Sequence, residues 1–82
     1  MDAEVAGARS VGQSYLSEPG RQQLALQTLN EFRRLGLYRP ADIARHIQAR
    51  RHLDFENAAI YVQDGWVFAD IEARICAIIA LA

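Results

Sequence analysis

Two histidines, one cysteine and ten carboxylates are the side chains through which this 82-residue chain could do acid–base, nucleophilic or metal chemistry. Their spacing argues against all three. His46 and His52 are six residues apart, which puts them on different faces of a helix and offers no joint ligand pair for a metal ion. Asp42 precedes His46 by four residues, a spacing that suits pairing along a helix more than catalysis. Cys76 lies in "RICAIIALA" (74–82), where a thiol behaves as a small hydrophobe and stays protonated. No CxxC, HExxH, GxSxG or glycine-rich phosphate loop occurs. So short a chain also has little volume for a substrate pocket of several hundred Å³. The expectation is a protein with no catalytic residue, no metal, no cofactor and no small-molecule substrate.

Non-covalent recognition is left, and two groups of residues could supply it. Tyr61, Trp66 and Phe68 cluster around Asp64-Gly65 and suit apolar anchoring better than ligand stacking. Residues 33–52 hold six arginines against one acid, Asp42, whereas residues 53–82 hold five acids against Arg74. Arg45, Arg50 and Arg51 are the candidates for contact with nucleic acid or an acidic partner. The stretch "YRPADIARHI" resembles the first helix of a helix-turn-helix over about ten residues. It then departs: Gln48 and Ala49 stand where a turn glycine belongs, and the acidic "DFENAAIY" is a poor recognition helix beside phosphates. A net charge of −1 gives the whole chain no pull toward polyanions. Opposite charge in the two halves fits ion pairing, within one copy or between two.

These residues must be held by one small domain. Half of the chain is hydrophobic and 23% charged, as in ordinary globular domains. The longest apolar run is eight residues, too short to span a bilayer. With one cysteine, no secretory signal and no disulfide, a cytoplasmic setting is expected. All nine basic residues are Arg, a usage that fits GC-rich bacterial or phage-like coding.

Residues 1–16 read as a flexible or marginally helical arm, because Gly7, Ser10 and Gly12 dilute the spacing of Val5, Ala8, Val11, Tyr15 and Leu16. Residues 17–82 then form a single small helical domain. Ser17 and Glu18 are placed to start the next helix. Leu24, Ala25, Leu29, Phe32 and Leu35 make its apolar face, Gly36 stops it, and Leu37 folds back on Phe32. Pro40 opens a further helix, with Tyr38 stapled on Ile43. Residues 54–69 admit two readings: a helix capped by Asp54, or a hairpin turning at Asp64-Gly65 that pairs Val62 with Val67 and Tyr61 with Phe68. The hairpin is preferred, since β-branched and aromatic residues fill both arms. Asp70 caps a last helix. The fold class is mainly α, three to four helices with a short β-hairpin near residues 59–69.

The last helix frames the functional expectation. Ile71, Ile75, Ile78 and Ile79 line its large face; Ala73, Ala77 and Ala80 line a small one that another backbone could approach closely. So much apolar surface exceeds what a thin core can cover. The expected function is a non-enzymatic interaction module of adaptor, regulator or inhibitor type. It would bind itself, as a homodimer, or a larger protein through Trp66, Ile71, Ile75, Ile78 and Ile79. The alternative cover is the N-terminal segment of the same chain. Nucleic-acid binding through the arginines is the second function class.

Overall fold

The structure, a computed structural model, describes residues 3–82; Met1 and Asp2 of the expected arm, and the side chain of Val5, lie outside the described residues. Its elements in chain order are helix α1 (Ala3–Leu16), helix α2 (Arg21–Arg34), helix α3 (Pro40–Glu56), strand β1 (Ile60–Gln63), strand β2 (Trp66–Ala69) and helix α4 (Asp70–Leu81). The architecture is mainly α with one antiparallel hairpin, the class expected from the sequence.

Helix α4 is the hub, touched by α1, α2, α3 and both strands, with α1 as its most extensive partner. The reason lies in Gly12. Its Cα sits against the α4 backbone so closely that a Cβ there would overlap the Cys76 carbonyl and stand 2.8 Å from the Ala77 nitrogen. Ala73 and Ala77 are fully buried beneath it. The small face of α4 therefore does accept a close backbone, and that backbone belongs to α1. Tyr15 and Tyr61 meet edge to face beside it, ring centroids 5.3 Å apart. A second cluster joins Phe32, Ala69 and Ile71, with Leu37, Ile43, Ile47 and Ile75 packed around.

The local stops follow backbone chemistry. Gly36 takes φ 68°, its N–H bonds the Arg33 carbonyl and the Leu37 N–H bonds the Phe32 carbonyl, which completes a Schellman ending for α2. Helix α3 ends the same way: Ala58 N–H reaches the Phe55 carbonyl and Ala59 N–H the Asp54 carbonyl. Here the left-handed position is occupied by Ala58, at φ 55°. In the hairpin, Asp64 and Gly65 both have positive φ, as a two-residue primed turn requires, and Val62↔Val67 and Tyr61↔Phe68 pair in the expected register.

Several expected caps differ. Ser17 closes α1, donating its hydroxyl to the Ser14 carbonyl, and the α2 N-cap is Gly20. Asp54 begins no helix, because α3 runs on through Glu56; its carboxylate instead accepts the Ile71 N–H (2.8 Å) and caps α4 from a neighbouring helix. Ala69, not Asp70, is the N-cap of α4; its N–H donates to Glu72, and Asp70 pairs with Arg74 one turn on. Tyr38 forms no buried staple: its ring is exposed and its hydroxyl donates to the Arg33 carbonyl.

Candidate functional site

Most of the α4 surface is consumed inside the subunit. Ile71 is 1% exposed and faces Phe32 and Ala69, so it is a core residue with nothing to present to a partner. This corrects its expected role: at the start of α4 it lies beneath the end of α3, whose Asp54 binds its N–H. Ile75 is half-buried on the same cluster, and Ile78 is half-buried against the cluster of Tyr15, Ala73 and Ala77. Ile79 is half-buried as well. What stays open is the far end, where Leu26, Leu29, Ile78 and Leu81 line a shallow groove of about 250 Å³.

Apolar exposure concentrates on the hairpin. Paired residues of an antiparallel ladder share a face. Tyr61, Phe68, Gln63 and Trp66 therefore point to one side, and Ile60, Val62, Val67 and Ala69 to the other. The first side packs down through Tyr61, which is buried and whose hydroxyl shares a 2.6 Å hydrogen bond with Ser14. Trp66, at the tip of that side, is 71% exposed. It borders an open groove of about 430 Å³ lined by Gly7, Ala8, Val11, Phe68 and Cys76. On the opposite side Ala69 is buried, but Ile60, Val62 and Val67 stand in solvent. Such a cluster of β-branched and aromatic side chains in water is uncommon for a surface with no partner.

The three candidate arginines are engaged with carboxylates of their own chain. Arg45 pairs with Asp42 (3.2 Å), Arg50 bridges α3 to α2 through both Glu31 oxygens, and Arg51 Nε lies 3.5 Å from Glu72. The expected Asp42–His46 pair is not made, because Arg45 takes that carboxylate. His46 rests its ring edge on Phe32, with Nε2 3.9 Å from Glu31. His52 pairs with Glu56 at 3.0 Å, far from any joint site with His46. Arg74 Nε lies 2.7 Å from Asp70, an ion pair without hydrogen-bond alignment. No group of three or more His, Cys, Asp or Glu side chains able to hold a metal occurs among the described residues. Burial, helped by the negative charge of Glu72, raises the Cys76 thiol above its ordinary value.

Three residues that matter here escape a reading by composition. Gly12 looks like a helix weakener and is the α1–α4 contact. Asp54 looks like the start of a helix and caps one sixteen residues further on, a pairing no local pattern reveals. Ala58 carries no left-handed signature. Among the described residues no helix is long and apolar enough to cross a membrane. Fold and surface define a small mainly-α domain with an exposed apolar hairpin. Comparison with protein-family models, with curated proteins and with solved structures gives no match to this chain.

Proposed function

We propose that this chain is a protein-binding module of adaptor, regulator or inhibitor type, with no chemistry of its own, that binds itself or a larger protein. The observation that carries this reading is the hairpin: Trp66, Ile60, Val62 and Val67 are exposed together on an element with only two strands. A two-stranded sheet has little stability alone, so evolution of four large apolar side chains on its open surfaces suits a hairpin that is covered in its working state. Trp66 is the anchor, since exposed tryptophans carry a large share of binding energy when a partner buries them. The α2–α4 groove around Leu26 and Leu81 is a secondary contact. Arg51, whose Nε lies 3.5 Å from Glu72 at the foot of β2, belongs to the polar surround.

Trp66→Ser is the direct test. Its side chain is solvent-exposed, so the fold should survive, as read by far-UV circular dichroism and urea unfolding. Binding of a cross-linked and identified protein partner should weaken by about 30-fold, the ~2 kcal/mol typical of an interface hot spot. Unchanged binding of that partner, in a chain that is also monomeric by light scattering, would overturn the reading. Ile78→Asp is a poorer probe, because Ile78 packs on the core and its loss would unfold the chain. Nucleic-acid binding is the competing class, and titration with duplex DNA at two salt concentrations separates it through the steep salt dependence of phosphate contacts.

A further inference from the structure

We propose that the occupant of the hairpin is a second copy of this chain, joined edge to edge through β1 into a four-stranded antiparallel sheet; the proposal rests on the protein-binding reading above and names its partner. The register supplies the ground for it. Across the two-residue turn Gln63 and Trp66 exchange backbone bonds, and by the alternation of an antiparallel ladder so do Tyr61 and Phe68. The next pair in that alternation is seen directly, in the Asp70 N–H donating to the Ala59 carbonyl at 2.9 Å. Ile60 and Val62 occupy the intervening positions. Their N–H and C=O groups therefore point away from β2, and no hydrogen bond among the described residues uses them.

The outer edge of β2 is open at Val67 alone and closed at its other outward position. Its outward N–H at Ala69 is taken by Glu72 (2.9 Å), Ala69 is fully buried, and α3 packs against that strand. β1 has none of the devices that keep edge strands apart. "IYVQ" contains no lysine, no proline and no charge, and the Ile60 and Val62 side chains beside the open backbone are exposed.

A second β1 satisfies this edge by symmetry. With a two-fold axis at Tyr61, Ile60 faces Val62 of the other copy and the reverse, so all outward N–H and C=O groups of both residues are paired. The same register sets Gln63 opposite Ala59 and Asp64 opposite Ala58, and the one acid of the turn meets no acid.

Light scattering from micromolar to millimolar protein, with amide hydrogen exchange followed residue by residue, tests this on the unmodified chain. A monomer–dimer transition is expected, with the Ile60 and Val62 amides exchanging fast in the monomer and slowly in the dimer. Val62→Lys should weaken the dimer at least tenfold. Val67→Lys, on the same face but in β2, away from the pairing edge, should leave it within about twofold. A monomer at every concentration overturns the proposal; so does a dimer whose Ile60 and Val62 amides stay fast, or one that Val67→Lys damages as much as Val62→Lys. A monomer that still loses an identified partner on Trp66→Ser overturns only the second copy and leaves the protein-binding reading standing.

Discussion

Ala58 holds φ at 55°, a conformation in which Cβ crowds the backbone of any residue but glycine. It is kept there by the double hydrogen bond that ends α3 and aims the chain into β1. Ala58→Gly removes the crowding, worth about 1–2 kcal/mol, and gives back part of it as unfolded-state entropy, about 0.5–1 kcal/mol. A net gain of roughly 0.5–1 kcal/mol in urea unfolding is expected. Cys76 offers the complementary residue-scale test. Its half-buried thiol lines the groove beside α1 and is pushed up by that burial and, secondarily, by Glu72, so thiolate is scarce at neutral pH. Alkylation by iodoacetamide should be slower in buffer than in denaturing urea at the same pH. Native labelling as fast as in urea would mean that the fold does not hold this proton.

At the scale of elements, the α1–α4 crossing decides how much of the last helix is left for partners. Gly7 and Gly12 sit five residues apart on α1, and only one of them is in contact: nothing lies within 4 Å of a Cβ built at Gly7. The same substitution should therefore have opposite signs at the two positions. Gly7→Ala gains helix propensity, about 0.5–1 kcal/mol. Gly12→Ala gains the same propensity but drives a methyl group into the α4 backbone, which cannot yield as a side chain would; a net loss of about 1–3 kcal/mol is expected. Thermal unfolding of the two variants side by side checks the crossing. Asp54→Ala tests the α3–α4 joint, where losing the cap on Ile71 should cost about 1–2 kcal/mol.

For the whole molecule, what could be read from the chain was whatever local chemistry determines. Gly36 after a periodic helix, Leu37 folding back on Phe32, and Asp64-Gly65 between β-branched arms each act over a few residues, and each is found as expected. The covering of α4 could not be read that way, because it depends on Gly12 meeting Cys76 across 64 residues of chain, and a glycine announces a close contact and a weak helix identically. The place of Ile71 is hidden for the same reason: periodicity gives its face, while its burial comes from Phe32 of α2 and from Ala69, with Ile43 and Ile47 of α3 packed around them. That packing also sets how the fold answers to alkali. All nine basic residues are arginine, so no lysine titrates between neutrality and pH 11, and the groups whose protons the fold holds more tightly in that range are Cys76 and Tyr15. Burial raises both above their ordinary 9.0 and 10.0, with Glu72 adding to the first and Asp70 to the second. The native state thus holds these protons more tightly than the unfolded chain does. The stability they contribute is fully present below the unfolded values and drains away as pH climbs through the raised native ones. The urea midpoint should accordingly be flat through neutrality and fall above pH 9. Cys76→Ala should remove the first part of that fall and Tyr15→Phe the second; a midpoint equally steep in the double variant would show that neither buried group controls it.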